Sequence, residues 1–385
     1  MVCVSLLGAA VAFIPVALTP ITARAATSPI SYWGSVFTTV PTREASKQTV
    51  PVTVDVPDPV VQVATSNSTE YALLADGDVY AWGLGGEGQL GDGSTADSLR
   101  VAVQVQFPAG VAIASLAADA MPYDAALAID TSGHAWGWGY ANLGALYLGR
   151  ASHYLTPVEL PFTDVTVVAG AGDHAVYDSG GTVYACGENH AGDLGDGSTR
   201  GSDIPVKVVG MENQDIEALV ASCDDSGVLL ADGDYYDWGN DALGQLGDGN
   251  IGVSADAPLR VDLPLPVVQV ALGGSDPENG QTLVELSDGS FRAWGDDQYG
   301  QLGNGHTADE PSPVVFSAPA GVTYQLLVSS GSTSYAVSTS GDVYAWGQGG
   351  SGQIGNGKSA NQLTPEEVET GVSLISATAQ DVVTQ

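Results

Sequence analysis

A tryptophan-glycine pair recurs along this chain at intervals of 48 to 56 residues. A Gly-Gln-Leu-Gly turn or a close variant follows most copies, as at 88–91. A fixed period of this length is typical of folds built from one repeated unit, each copy packing only on its neighbours. The seven positions with this spacing hold Trp33, Trp82, Trp138, Cys186, Trp238, Trp294 and Trp346.

One copy of the repeat contains four short segments with the composition of β-strands. In the first copy they lie at 60–64, 71–74, 79–83 and 99–105. Asp76-Gly77 predicts a two-residue hairpin between the second and third segments, because glycine accepts the positive φ of such turns. Four strands per repeat predict one blade of a β-propeller, and seven positions therefore predict seven blades.

The repeated residue types have expected structural roles. The tryptophan offers a large apolar surface for packing between blades, and its indole N–H needs an acceptor. The following glycine lets a neighbouring backbone approach closely. We expect the glutamine of the turn to accept turn amides, with the leucine or isoleucine packed inward.

Two copies depart from the common pattern. The second offers two registers, since Trp136-Gly137 and Trp138-Gly139 both fit the pair; counting from the turn at 132–133 assigns Trp138 to the common position. Near the N-terminus, Trp33 supplies a seventh position, although no Gly-Gln-Leu-Gly turn follows it.

The two ends of the chain each hold half of a blade. Residues 372–377 and 382–384 predict a first and a second strand, whereas the N-terminal segment begins at a third strand and completes a fourth. Pairing the halves closes the ring without a free sheet edge. We therefore predict an all-β, seven-bladed propeller over 27–385. Its repeats are expected at about 57–109, 110–161, 162–209, 210–262, 263–316 and 317–368, with a closing blade from 369–385 and 27–56.

Residues 1–26 predict an export signal. An apolar run precedes Ala23-Arg24-Ala25, a small-residue pattern typical of signal-peptidase sites, with cleavage after Ala25 or Ala26. No Lys or Arg precedes the apolar run, which leaves an uncleaved anchor as the alternative. We expect a secreted, extracellular protein, or one associated with the cell envelope if the signal is retained. No other stretch is expected to cross a membrane.

The net charge of −35, from 10 basic and 45 acidic residues, argues against nucleic acid as a partner. Affinity for phosphates comes from Lys and Arg, which release counterions. The acidity favours solubility outside the cell; a surface that attracts basic proteins or cations is the alternative. We expect a monomer.

Two cysteines follow the signal, Cys186 and Cys223. An even count in an exported protein permits one disulfide, here between adjacent repeats. Two buried thiols are the alternative.

The other polar residues show no catalytic or metal-binding pattern, and we expect no catalytic residue, cofactor or metal. Turn aspartates such as Asp76 recur every 52 residues or so, not every nine as in calcium-binding solenoids, which favours a hairpin role; adventitious cation binding is the alternative. The histidines are expected in turns or on the surface: His134, His153, His174, His190 and His306. The acidic doublets are expected as solvated loop charge: Asp224-Asp225, Asp296-Asp297 and Glu366-Glu367.

The repeat resembles that of the RCC1 (regulator of chromosome condensation) family, over residues 30–385. Trp82-Gly83, Trp238-Gly239, Trp294-Gly295 and Trp346-Gly347, each with its glycine-rich turn, carry the resemblance. It implies a seven-bladed propeller, here as a secreted bacterial member. Cys186, the expanded Trp138 copy and the missing turn after Trp33 depart from the family pattern. Family repeats often have His at the start of the second strand, a place that only His174 clearly takes here.

These features favour a secreted, non-enzymatic scaffold that binds another protein or a cell-surface polymer through its loops. The resemblance implies a second class, a guanine-nucleotide exchange factor acting on a small GTPase, which an exported protein would not meet. A carboxylate-dependent glycan-acting enzyme is a third class, and it requires loop acids that converge on one face.

Overall fold

The computed structural model describes residues 29–37, 45–57, 59–66, 68–117, 124–141, 146, 153–274, 279–377 and 381–385. These residues form 28 strands in seven antiparallel sheets of four. The sheets follow one another around a ring, which confirms the predicted all-β, seven-bladed propeller. Within the described ranges, no helix has the length and apolarity needed to span a bilayer. The predicted export signal, 1–26, lies outside them.

The first strand of each blade lies nearest the ring axis, where it contacts the first strands of neighbouring blades. The closing blade begins with β1 (Pro29–Phe37) and β2 (Ala45–Asp55). Blades 1 and 2 contain β3 (Val60–Thr65), β4 (Thr69–Leu74), β5 (Val79–Gly83), β6 (Ser98–Gln104), β7 (Ile113–Leu116), β8 (Ala125–Asp130), β9 (Ala135–Tyr140) and β10 (His153–Glu159). Blades 3 and 4 contain β11 (Val165–Ala171), β12 (His174–Ser179), β13 (Thr182–Gly187), β14 (Ser202–Glu212), β15 (Ile216–Ala221), β16 (Asp225–Leu230), β17 (Tyr235–Gly239) and β18 (Ala255–Arg260). Blades 5 and 6 contain β19 (Val267–Gly273), β20 (Gln281–Leu286), β21 (Phe291–Gly295), β22 (Glu310–Phe316), β23 (Tyr324–Ser330), β24 (Thr333–Ser338), β25 (Val343–Gly347) and β26 (Gln362–Glu369), and the closing blade ends with β27 (Ile375–Ala377) and β28 (Asp381–Thr384).

The closing blade joins the two ends of the chain. Its strand order is β2-β1-β28-β27, with Ser31 to Gly34 paired against Thr384 to Asp381. This pairing confirms the predicted closure by N- and C-terminal half-blades. The seam is therefore held by backbone hydrogen bonds as well as by side-chain packing.

The ring has two unlike faces. One face, which we call the loop face, carries the turns between first and second strands. It also carries the long connections between third and fourth strands, such as 84–97 and 240–254. The hairpin face carries the two-residue turns between second and third strands. In one such turn, Asp76 Oδ1 accepts the N–H of Asp78 at 3.1 Å. This bond agrees with the predicted turn role of the repeated aspartates.

Each outer strand contains a bulge, and in five blades that bulge accepts a hydrogen bond from the preceding blade. In β22, Glu310 and Val314 pair with Gly295 and Ala293, so the three residues between them stand opposite one. The N–H of Gly249, in the long connection of blade 4, donates to the carbonyl of Pro311 in this bulge at 2.8 Å. The long connections are therefore packed against the next blade instead of extending into solvent.

Candidate functional site

The repeated tryptophans are fully buried and join consecutive blades. In each bonded case, Nε1 donates to the backbone carbonyl of the second residue of the preceding blade's Gly-Gln-Leu-Gly turn or its variant. The glutamine side chain acts within its own turn: Gln245 Oε1, for example, accepts the N–H of Leu243 at 2.8 Å. The indole bonds are Trp33 to Gln353 at 2.9 Å, Trp138 to Gln89 at 2.9 Å, Trp238 to Asp193 at 2.9 Å, Trp294 to Gln245 at 2.8 Å and Trp346 to Gln301 at 2.9 Å.

The structure places Trp138, and not Trp136, at the common position. Trp138 pairs with Ala126 as Trp82 pairs with Glu70. Nε1 of Trp136 instead donates to Asp130 at 3.0 Å within its own blade.

Two positions make no such bond between blades. Trp82 follows the closing blade, which lacks the glycine-rich turn, and its buried Nε1 has no acceptor among the described residues. Cys186 follows the expanded copy in blade 2 and has no indole N–H to donate. In both places the missing hydrogen bond between blades coincides with an altered or absent Gly-Gln-Leu-Gly turn in the preceding blade.

The cysteines are buried thiols in the structure, and no disulfide joins them. Cys186 packs in the core cluster shared by blades 1 to 3. Cys223 lies in the turn between β15 and β16. Of the two alternatives left open by the sequence, a disulfide or two buried thiols, the structure has the buried thiols.

The predicted solvation of the acidic doublets is wrong for two of the three. Asp224, Asp296 and Asp297 do lie in loops and Asp225 begins β16, but all four are at least nine-tenths buried. Glu366 and Glu367 lie in the outer strand β26, also not in a loop. Asp296 and Asp297 lie in the long connection of blade 5, which packs against blade 6, whereas Asp224 lies in a short turn beside the long connection of blade 3.

The surface prediction is also wrong for His174. Its side chain is fully buried, and Nε2 lies 2.8 Å from Oγ of Ser226 in the next blade. Burial lowers the pKa of His174 to about 4. The residue is therefore a neutral link between blades 3 and 4.

Blade 4 contains a pair of buried acids that the repeat does not predict. Asp237 stands in β17 at a position where most other blades have alanine, and it accepts the Tyr235 hydroxyl and the Trp238 N–H at 3.1 Å each. Gly227, opposite Asp237, leaves room for the Tyr235 ring. Burial raises the pKa of Asp237 well above its usual range, and burial and the charge of Asp237 do so for Asp225.

An open pocket of about 460 Å³ lies on the loop face between blades 3 and 4. It is formed by the long connection of blade 3, the turn before β16, both ends of the long connection of blade 4 and the start of β18. The lining residues are His190, Ala191, Thr199, Asp224, Asn240, Ser254 and Asp256.

Three carboxylates meet at this junction. Burial raises the pKa of Asp193 to about 7, and the charge of Asp224 adds to the effect. Burial, followed by the charges of Asp224 and Glu188, raises the pKa of Asp173 to about 6. Asp193 Oδ2 accepts the N–H of Ala191 in the pocket wall at 3.3 Å, whereas its buried Oδ1 has no partner in the described structure.

Sequence reasoning missed these residues because it treated each acid by its local context. The signal was present in the alignment of the repeats. Asp193 replaces the glutamine found in four other turns, and Asp237 replaces alanine. Within the described ranges, no group of three or more His, Cys, Asp or Glu is arranged to hold a metal ion.

Sequence profiles of known families match much of the chain. The profile of the "Regulator of chromosome condensation (RCC1) repeat" matches residues 76–118, 180–229, 232–275, 288–337 and 340–382. A second profile with the same description matches 60–89.

Curated relatives are longer proteins. The chain is 33% identical over 266 residues to the ultraviolet-B receptor UVR8 of Arabidopsis thaliana, which is 67% of this chain and 58% of that protein. It is 27% identical over 319 residues to the human E3 ubiquitin-protein ligase HERC2, which is 80% of this chain and 6% of that protein. The chain therefore corresponds to a part of each relative.

Solved structures share the fold. Human WBSCR16 has a TM-score of 0.78 at 18% identity, covering 92% of this chain and 98% of that chain. Prp20p of Saccharomyces cerevisiae has a TM-score of 0.75 at 19% identity, covering 94% and 92%. The repeat profiles extend over more than half of the sequence, and the chain belongs to the RCC1 (regulator of chromosome condensation) repeat family.

Proposed function

We propose that this protein is an exported, non-enzymatic RCC1-repeat propeller that binds another protein through its loop face. The observation that carries the proposal is the pocket between blades 3 and 4. The repeated residues there keep their structural roles, while the pocket presents polar side chains at the loop face, among them His190, Asp224 and Asp256. Loops on a rigid frame are a common place for recognition sites.

The relatives support a protein partner. The Prp20p structure is described with binding properties to Gsp1p and histones, and another structure shows Kap60 bound to yeast RCC1. Because these proteins share less than 20% identity with this chain, they provide a precedent for the type of partner and none for its identity.

Export remains part of the proposal. The apolar segment before Ala23-Arg24-Ala25 and the net charge of −35 support it. Export in turn favours a partner in the envelope or the medium over a cytosolic GTPase. A cell-surface polymer is the alternative partner. The full burial of Asp296 and Asp297 argues against a glycan-acting site at that doublet, because a substrate could not reach it.

A capture experiment tests the proposal. The purified protein is immobilised and exposed to envelope extract and culture fluid of the producing organism at about 50 and 150 mM NaCl, with the urea-unfolded protein as control bait. Specific recovery of a protein that soluble propeller displaces is expected. Recovery of polysaccharide alone would favour the polymer, and recovery of nothing above the control would refute binding. Release of labelled GDP from a panel of small GTPases would favour exchange activity instead.

A further inference from the structure

The long connection of blade 4 differs in composition from its counterparts. In blades 1, 3, 5 and 6, four residues separate the outer strand from the glycine two residues after the Gly-Gln-Leu-Gly turn or its variant, and none is an apolar residue larger than alanine. These segments are 94–97, 198–201, 306–309 and 358–361. In blade 4 the segment is 250–254, one residue longer, and it contains Ile251 and Val253. Their side chains are 54% and 61% exposed.

This pair also stands apart from the other exposed large aliphatic side chains of the described ranges. Leu265 follows β18 on the hairpin face, and the rest lie in strands: Val50, Val61, Val101, Leu155, Ile204, Val209, Leu259, Val315 and Leu363. Single exposed aliphatic residues are ordinary on a protein surface. Two of them in one loop segment, where four equivalent segments are polar, are not explained by the repeat.

The backbone of this segment is held in place by Asp241, which is fully buried. The carbonyl of Asp241 accepts the N–H of Gly252 at 2.5 Å, and its Oδ2 accepts the N–H of Val253 at 3.3 Å. In blade 5 the corresponding bond runs the other way, from the N–H of Asp297 to Asp309 Oδ1 at 3.0 Å. The segment of blade 4 is therefore fixed without a partner, which lowers the conformational entropy lost on binding.

The segment ends beside the pocket on the loop face, in acidic surroundings. Ser254, which follows Val253, lines the pocket together with Asp224 and Asp256. Arg200, in the neighbouring connection of blade 3, offsets part of their charge, but the chain as a whole carries −35. A second copy of this chain is therefore repelled, whereas a partner with basic residues beside an apolar one is attracted.

We propose that Ile251 and Val253 form the apolar contact of the loop face, and that the partner protein covers them with an aliphatic side chain flanked by lysine or arginine. The inference rests on the proposed function and narrows it to one connection and to a partner surface of this chemistry. An apolar centre with complementary polar groups around it is the usual anatomy of a protein interface.

Capped tetrapeptides test this chemistry on protein that is isotope-labelled at the isoleucine δ1 methyl groups. Acetyl-Lys-Leu-Leu-Lys-amide is titrated near neutral pH and at low salt, beside its analogues acetyl-Lys-Ser-Ser-Lys-amide and acetyl-Glu-Leu-Leu-Glu-amide. We expect a saturable shift of the Ile251 methyl signal, and binding of the lysine-leucine peptide at least about fivefold tighter than that of either analogue. The signal of Ile204, which is 69% exposed on β14, should stay in place. No saturable shift of Ile251 up to about 20 mM peptide, equal binding of an analogue, or equal shifts of both signals overturns the proposal.

Two double variants with the same pair of changes locate the contact. The loop variant is Ile251→Thr with Val253→Thr, and the strand variant is Ile204→Thr with Val101→Thr, at positions 69% and 67% exposed. Threonine already occurs in three of the four equivalent segments, at Thr95, Thr199 and Thr307. Both variants should unfold at the native urea midpoint. The loop variant should weaken the lysine-leucine peptide at least about fivefold and the strand variant less than about twofold; equal effects would refute a site.

Other occupants give different results. Sedimentation of the native chain between about 10 and 200 µM that shows self-association, abolished in the loop variant, would replace the partner protein with a second copy. Co-sedimentation of the native chain with phosphatidylcholine vesicles, again abolished in the loop variant, would replace it with a lipid surface. Either result overturns the proposal.

Failure of this inference is distinct from failure of the proposed function. The native chain, the loop variant and the strand variant are used as baits in the capture experiment. A protein captured by the native chain and the strand variant, but not by the loop variant, supports the contact when the peptide result agrees. A protein captured equally by all three leaves the proposed function standing and rejects the contact. Capture of nothing by the native chain rejects the proposed function.

Discussion

The indole hydrogen bonds between blades predict that tryptophan-to-phenylalanine substitutions lower the free energy of unfolding by different amounts at different blades. All of these tryptophans are fully buried, so each substitution loses a similar amount of packing. The variants differ in whether the backbone carbonyl that accepts the indole N–H keeps another hydrogen-bond donor. Trp294 is the only side chain among the described residues that donates to the Gln245 carbonyl, whereas the Gln301 carbonyl also accepts the Ser334 hydroxyl at 2.8 Å. Trp82 has no acceptor to lose.

The expected free energies follow from this difference. Leaving a buried carbonyl without a donor costs about 1–3 kcal/mol, so Trp294→Phe should cost that much more than Trp82→Phe. Trp346→Phe should lie between them, because Ser334 still bonds the carbonyl. Trp82→Phe also removes a buried unsatisfied N–H, which offsets part of its packing loss.

Urea unfolding followed by far-ultraviolet circular dichroism measures the series without relying on the fluorescence of the residues removed. The m-values should match that of the native chain, so that midpoints report stability. Equal losses for the three variants, or the largest loss for Trp82→Phe, would refute the view that the glycine-rich turns act mainly as acceptors for the next blade's indole.

Three further predictions concern acids, thiols and export. Because the pKa values of Asp225 and Asp237 are raised, their contribution to stability is complete below about pH 4 and is lost as the pH rises. The urea concentration at the unfolding midpoint should therefore decrease between about pH 5 and pH 8. Asp225→Thr, which copies Thr69 and Thr333, should flatten that fall; an unchanged slope would contradict it. The lowered pKa of His174 should have the opposite effect, a loss of stability as the pH falls below about 6.5. His174→Gln should remove this loss of stability in acid. Cys186 and Cys223 should react with a thiol reagent only after denaturation, whereas a lack of reaction in denaturant would indicate a disulfide. Mass analysis of the secreted form should show cleavage after Ala25 or Ala26, and an intact Met1 end would refute it.

The fold was predictable because the repeat constrains it at every level. A fixed period gave the number of blades, the Asp-Gly and Ser-Gly turns placed the hairpins, and the half-blades at the two ends required closure. Trp138 could be assigned by counting from the turn at 132–133, since a tight hairpin fixes strand register. Each of these inferences depends on local chemistry that recurs in several copies of the repeat, so several copies support it independently.

The candidate site was not predictable by the same reasoning. Asp296 stands in a polar, glycine-rich segment and Asp224 in a short polar turn, and such segments usually lie in solvent. In this architecture the long connections are held over the next blade by the indole and bulge hydrogen bonds, so a charged loop residue is buried at a junction. That burial depends on contacts between residues about 50 positions apart, such as Trp238 with Asp193, and composition within one loop does not reveal it.

A ring of repeats can tolerate such a junction because its stability is distributed among neighbouring contacts. The like charges of Asp173, Asp193 and Asp224 weaken the boundary between blades 3 and 4, but that boundary keeps the Trp238 bond to Asp193 and the His174 contact with Ser226. The seam of β1 with β28 and the other indole bonds are separate from it. The acids are therefore a local cost carried by an otherwise regular scaffold.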